Sequence, residues 1–400
     1  MGKQVKTPRF YVDMPTFLHA TGDLHWGGLV GGVNTVNGSE LLYMNCANPS
    51  FRPTIEDIHV DGYLFNLGKW SEQIKTAFPI NFCGLLNHNF GSATAPIHAG
   101  YFAGIDYPND YTAQRLNGLS GHANVINTLG SNQGLQSQYN GTSMWTFTEI
   151  NDYFRAFYIV AYKDELATQK GIPDADLDLN HQLGSFVVGK YFDCPNSPDL
   201  SLTMSRRFDG IKKQKTIGGK TLANIYYDGP TEWTMNHPKD NTLNGTYKYP
   251  PFELDTTSDV DTQGYRFDYR AKSGLGRKGL RSWNLTFSYI SEDDMWMENE
   301  VSSKVTSDSI DDGINPTGGS DPNPMLSDDS FNFVWNCTLG GTLPFIFQPN
   351  APKYDAAGVM TQGDNSPDQF SICTFRDNTL SVKQVAFNTY TLSITIDEVA

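Results

Sequence analysis

Apolar and polar residues alternate one for one along several stretches of the chain. A period of two puts successive side chains on opposite faces of an extended strand. Trp283, Leu285, Phe287 and Tyr289 alternate with Ser282, Asn284, Thr286 and Ser288. Tyr390, Leu392, Ile394 and Ile396 alternate with Thr391, Ser393, Thr395 and Asp397. Phe331, Phe333, Trp335 and Cys337 follow the same rule, with Val334 interrupting the polar side, and Leu200, Leu202 and Met204 alternate with Ser201, Thr203 and Ser205. One wet and one dry face per strand predict an antiparallel sheet or β-sandwich after about residue 195, ending in a strand from about Asn388 to Ile396.

The first half reads differently. Gly27-Gly28, Gly31-Gly32, Asn37-Gly38 and the Asn- and Gly-rich stretch Asn117–Gly141 carry turn chemistry and predict loops. The segment Asn151–Lys170 predicts a helix, with Asn151 as cap, Phe154, Phe157, Tyr158 and Ala161 on one face, and Gly171 as stop. A buried strand through Phe157–Tyr162 is the competing reading. The stretch SSKVTSDSIDDGINPTGGSDPNPMLSDDS (302–330) is too poor in apolar residues to bury a core, and predicts a long loop or arm. The expected organisation is mainly β. Residues 1–190 form a loop-rich, mixed, peripheral or inserted region, and residues 191–400 form an antiparallel β-sandwich. No internal repeat is visible.

Composition supports a β-rich chain over a disordered one: aromatic residues make up 13% and charged residues 18%, with 37 Gly and 21 Pro. The formal net charge of −15 repels phosphates and disfavours a nucleic-acid reader. No run of about 18 apolar residues appears, so no membrane span is expected. The start, MGKQVKTPRF, lacks the apolar core of a signal peptide, and folding in a cytoplasm is expected. Cys46, Cys83, Cys194, Cys337 and Cys373 are odd in number and scattered, which argues against a disulfide framework and a zinc ribbon.

Motifs for chemistry fail on their spacing. Gly218-Gly219-Lys220-Thr221 invites a phosphate loop, but the first glycine of that motif falls on Gln214, and a turn between two strands is expected. Asp174, Asp176 and Asp178 begin like a calcium loop, but Leu179 and Ser185 occupy its glycine and glutamate positions. His19 and His25 flank Asp23 without a third ligand at metal spacing. Glu292, Asp293 and Asp294 follow a strand, where glycosidase acids occur, yet they open an acidic run of the solvated kind. No catalytic residue, cofactor or metal is expected.

Charge placement is more informative. Arg206, Arg207, Lys212, Lys213, Lys215 and Lys220 cluster in one short segment, and Arg266, Arg270, Lys272, Arg277, Lys278 and Arg281 in another. Glu292–Asp329, which includes Asp293, Asp294, Asp311 and Asp312, holds eleven acidic residues and one lysine. The bland reading is two solvated hairpins and an acidic loop. The sharper reading is a head-to-tail subunit interface, one copy's basic segments meeting its neighbour's acidic arm.

Four pieces carry a family resemblance: FDGIKKQKTIGGKTLANIYY (208–227), GLRSWNLTFSYISEDDMW (279–296), TLGGTLPFIFQPN (338–350) and DQFSICTFRDNTLSVKQVAFNTYTLSITIDEV (368–399). In order and texture they resemble tail proteins of long-tailed phages, especially tail ring proteins of crAss-like phages. The resemblance covers about half of the chain and implies a sandwich related to the tail-tube fold. It implies a homo-oligomeric ring of six or twelve copies in the virion tail, assembled in the host cytoplasm beside other tail proteins. Genomic DNA would pass through the lumen without specific binding. The alternative is a carbohydrate-binding or carbohydrate-cleaving receptor protein, with Trp145, Trp233 and Trp296 as sugar platforms.

Overall fold

The computed structural model describes residues 5–21, 25–27, 54–55, 62–66, 79–88, 97–106, 110–115, 129–130, 134–135, 140–150, 154–161, 181–182, 185–207, 211–225, 234–235, 279–297, 328–354, 360–364 and 369–399. These residues are mainly β. The strands of the first half are β1 (Arg9–Asp13), β2 (His25–Gly27), β3 (Thr54–Ile55), β4 (Gly62–Asn66), β5 (Ile80–His88), β6 (Ile97–Asp106), β7 (Asp110–Arg115), β8 (Leu129–Gly130), β9 (Gly134–Leu135), β10 (Asn140–Ile150), β11 (Phe154–Ala161), β12 (His181–Gln182) and β13 (Ser185–Asp193). Those of the second half are β14 (Thr203–Arg207), β15 (Ile211–Lys215), β16 (Thr221–Ile225), β17 (Thr234–Met235), β18 (Leu280–Ser291), β19 (Phe345–Gln348), β20 (Lys353–Tyr354), β21 (Met360–Gln362), β22 (Ser371–Phe375), β23 (Val382–Ala386) and β24 (Thr389–Glu398). Three short helices join them: α1 (Met14–Thr21), α2 (Glu292–Met295) and α3 (Phe331–Cys337).

An eleven-stranded antiparallel sheet runs in the order β14-β18-β24-β22-β19-β1-β13-β5-β10-β17, with β23 added beside β24. A seven-stranded sheet runs β2-β4-β11-β6-β9-β8, with β7 beside β6. The large sheet draws strands from both sides of residue 190, and β13 itself spans that position.

At its centre the large sheet is buried on both faces. Phe10 and Val12 of β1 pack into one apolar cluster with Trp283, Phe345, Phe347 and Phe375, while Tyr11 joins Phe82, Ile346 and Ile372 in another. Strands covered on both sides lose the apolar-polar alternation and become short apolar runs, as in RFYVD and FIFQ. Ring pairs fix the packing: Phe345–Phe375 at 4.6 Å, Trp283–Phe347 at 5.1 Å and Phe10–Phe347 at 5.2 Å between centroids. Each such pair contributes about 0.5–1.5 kcal/mol beyond its buried area.

Three sequence expectations are corrected. The segment expected as a helix over Asn151–Lys170 contains β11, paired with β4 and β6 on its two sides. Its run FRAFYIVA, rich in aromatic and β-branched residues, suits a strand with two neighbours, in keeping with the competing reading. The segment expected as a strand, Phe331–Cys337, is helix α3. Its helical signals are Ser330 at the cap and a Schellman stop, in which Gly340 N–H donates to Trp335 O at 2.9 Å and Leu339 N–H to Asn336 O at 3.0 Å. Val334, which broke the alternation, is buried with Phe331, Phe333 and Cys337. Leu200 lies in a turn closed by Leu202 N–H donating to Asp199 O, and β14 begins only at Thr203.

The alternation in β18 and β24 holds, with one shift. Trp283, Leu285 and Phe287 are buried and face Ile396, Ile394 and Leu392 across the ladder. A bulge after Phe287 then puts Tyr289 at φ 62 and 76% exposed, and Ile290 takes its place in the core.

Three cations, Arg9, Lys190 and Arg281, are held by carboxylates. Arg9 donates to its cross-strand partner Asp193 at 2.7 Å and lies over the Tyr191 ring at 3.8 Å. Lys190 Nζ reaches Asp329 at 2.7 Å and Glu149 at 3.4 Å. Arg281 is held by Glu398 at 2.8 Å, by the Phe370 carbonyl at 2.7 Å and by Ser371 Oγ. Removing one member of a buried pair strands the other in a medium that solvates it poorly. Glu398→Ala should therefore destabilise the protein by about 3–5 kcal/mol in urea unfolding, whereas Arg281→Met with Glu398→Leu recovers most of the loss. Equal losses in the single and double variants would contradict this account.

Asp13 caps α1: Thr16 N–H donates to Oδ2 at 3.2 Å, joined by the Thr16 hydroxyl, and Val188 N–H donates to Oδ1 at 3.2 Å. Burial nevertheless outweighs these donors and raises the carboxyl to about 7. With the folded value above an unfolded value of about 3.9, the native state holds the proton more tightly. The stability from this group is fully present below about pH 4 and is lost as pH rises through about 7. Stability measured from pH 4 to 8 should fall more steeply in the wild type than in Asp13→Asn. Parallel profiles would remove Asp13 as the cause.

Candidate assembly surface

The basic segment Arg206–Lys220 is the end of the large sheet and a hairpin that follows it. β14 is the terminal strand, paired with β18 on one side only among the described residues, and all five of its side chains are exposed. Its last residue, Arg207, faces Leu280, the first residue of β18. The chain re-enters at Ile211 to form the β15–β16 hairpin, in register from Ile211↔Ile225 to Lys215↔Thr221.

Thr216–Lys220 is the hairpin turn, as the failed phosphate-loop spacing predicts. Thr216 N–H donates to Lys220 O at 2.8 Å, Lys220 N–H donates to Thr216 Oγ1 at 3.1 Å, and Gly219 takes φ 78, a conformation suited to glycine. Every residue from 212 to 223 is exposed. Lys212, Lys213, Lys215 and Lys220 therefore stand in solvent together with the apolar Ile217 and Leu222.

Arg281 belongs to the second basic cluster of the sequence and not to this surface. Its guanidinium is spent on Glu398, which relieves the like-charge contact with Arg206 across the ladder. On the other face of these strands Arg376 forks onto Asp397 at 2.7 and 2.8 Å and holds that carboxyl below its ordinary range. Glu398 and Asp397, the described acids at this end of β18, are thus neutralised within the chain.

The opposite end of β18 is acidic. Ser291 caps α2 by accepting Asp294 N–H at 3.2 Å, and Glu292 and Asp293 in the first turn are exposed. Asp294 is half-buried, and its carboxylate accepts the Ser291 hydroxyl, so its place is explained by the cap. Beside α2 the bulge exposes Tyr289, and the β23–β24 turn exposes Phe387 to 89%. Arg277, Lys278, Asp311 and Asp312 lie outside the described residues, as do Arg266, Arg270 and Lys272.

The apolar residues Ile217, Leu222, Tyr289 and Phe387 were missed in the sequence because alternation assigns apolar residues inward. Their signals are positional: Ile217 precedes Gly218-Gly219, and Phe387 precedes an Asn388 at φ 49.

The sugar-platform reading loses Trp145, which is fully buried, and Trp296 packs edge-on against Tyr390 at 6.2 Å. Trp233 and Asp174, Asp176 and Asp178 fall outside the described residues. His19 is exposed in the last turn of α1, and among the described residues no three His, Cys, Asp or Glu gather as a metal set. Cys83, Cys194 and Cys337 are free, buried thiols, and Cys373 is buried as well. No described helix is long and apolar enough to cross a membrane. Comparison with protein-family models, with curated proteins and with solved structures gives no match.

Proposed function

We propose that this chain is a structural subunit of a phage virion tail, closing with copies of itself into a ring around the DNA channel. The observation that carries the reading is an antiparallel sheet whose terminal strand pairs on one side only among the described residues, followed in sequence by a basic hairpin exposed at every described side chain. An open edge of this kind is a template for further strands, and soluble monomers normally blunt or cover it. The four resembling segments supply the tail context: 208–227 contains the hairpin, and 279–296 contains the whole of β18 with α2. A tail-tube-like sandwich and a ring of six or twelve copies, joined to other tail proteins, complete the reading. The net charge of −15 suits a bore through which DNA slides, since a wall that neutralised phosphates would release counterions and hold the duplex.

Native mass spectrometry and particle imaging of the purified chain test this reading. A closed ring with a central hole is expected, with no retention of duplex DNA at physiological ionic strength. A monomer or trimer that releases saccharide from host envelope overturns it in favour of a receptor enzyme. Duplex affinity that falls steeply with salt overturns the sliding bore.

A further inference from the structure

A two-stranded hairpin is marginally stable in water unless a third strand or an apolar surface covers it. The β15–β16 hairpin has ordered ladder pairing and a hydrogen-bonded turn, yet residues 212–223 are exposed on both faces. Two of them, Ile217 and Leu222, are apolar among four lysines. Cationic heads around apolar anchors suit a protein surface carrying the opposite charge and its own apolar contacts.

The same chain carries such a surface where its own hairpin does not begin. Arg207, from which the hairpin departs, pairs with the first residue of β18, and α2 starts directly after the last. At about 3.3 Å per residue the two ends of β18 are roughly 35 Å apart. Opposite charges held at opposite ends of one rigid strand favour pairing between copies. The receiving end combines exposed Glu292 and Asp293 with exposed Tyr289 and Phe387. Tyr289 is held outward at φ 62, a conformation uncommon for an aromatic residue and maintained here by the bulge.

We infer that the β15–β16 hairpin of one copy docks head-to-tail on the α2 end of β18 in the next, with Ile217 and Leu222 against Tyr289 and Phe387 and the lysines facing Glu292 and Asp293. This inference rests on the ring reading and specifies its contact. The contact is heterologous, so it propagates in one direction and closes only when the rotation per copy permits.

A charge-exchange experiment on the full chain tests it. One variant carries Lys212→Glu, Lys213→Glu and Lys215→Glu, and the other carries Glu292→Lys and Asp293→Lys. Each alone should keep the wild-type urea midpoint and lose self-association by about tenfold or more, read by sedimentation. Mixed in equal amounts, they should reassemble, because the exchanged hairpin now suits the exchanged α2 end. In the wild-type oligomer, a photo-crosslinking amino acid in place of Ile217 should mark residues near 289–293 or 387 of another copy.

A wild-type ring that survives both reversals, a mixture that stays apart, or a crosslink from hairpin to hairpin overturns the docking while leaving a ring standing. A wild-type chain that stays monomeric at every concentration overturns both. Duplex DNA retained by the wild type and released by the lysine variant assigns the hairpin to nucleic acid instead.

Discussion

Burial of alternate side chains on both faces of β1 is the constraint on which the large sheet depends. Phe10 and Val12 fill one apolar cluster and Tyr11 the other, so β1 has no wet face and must lie inside the sheet. Its neighbours are β13, about 180 residues away in sequence, and β19, more than 330 residues away. A strand buried on both sides also has to satisfy its polar groups locally. Tyr11 does so by donating to Gln348 at 2.8 Å, which in turn donates to the Asp364 carbonyl at 2.9 Å. Arg9 and Asp13, at the two ends of β1, are held by Asp193 and by the α1 cap. Closing these contacts brings together segments from near both ends of the sequence, and makes the core a product of non-local pairing.

Away from that centre the covering thins in a regular way. β18 and β24 have one buried face, and on the other they carry hydroxyls that meet across the ladder, as Thr286 and Ser393 do at 3.1 Å. β14 has all five side chains exposed, and the hairpin beyond it has every described side chain exposed. Charge follows the same gradient. Lys190 and the Arg281–Glu398 pair near the core are tied to partners, while the lysines at the far edge stand in solvent. A chain that buries charges in pairs and displays others in clusters separates what holds it folded from what it presents to solvent.

This gradient explains what the sequence could disclose. Strands with one wet face keep their alternation, which is why Trp283–Phe287 and Leu392–Ile396 were legible. β1 and β11, with neighbours on both sides, read as apolar runs or helix faces, so the first half looked loop-rich although it supplies the middle of the sheet. In Phe331–Cys337 the alternation of Phe331, Phe333, Trp335 and Cys337 masked a Ser330 at the cap position and a Schellman stop that only a helix uses. The charged candidates were legible as clusters but not as places. Nothing in the spacing told that Arg281 turns inward to Glu398 while Lys212, five residues past Arg207, turns out.

A terminal strand paired on one side only among the described residues, on a chain that also exposes Ile217, Leu222, Tyr289 and Phe387, is a combination that invites unspecific pairing. Clustered lysines on the hairpin oppose that, because a second copy approaching hairpin to hairpin brings like charges together. The acidic remainder of the chain, at −15 overall, repels copies in most other orientations. In the proposed docking, an approach that sets the basic hairpin against an acidic end lowers the electrostatic energy while covering the apolar residues. On the ring reading, the same charges that keep a free subunit apart from its copies select the single orientation in which it joins them.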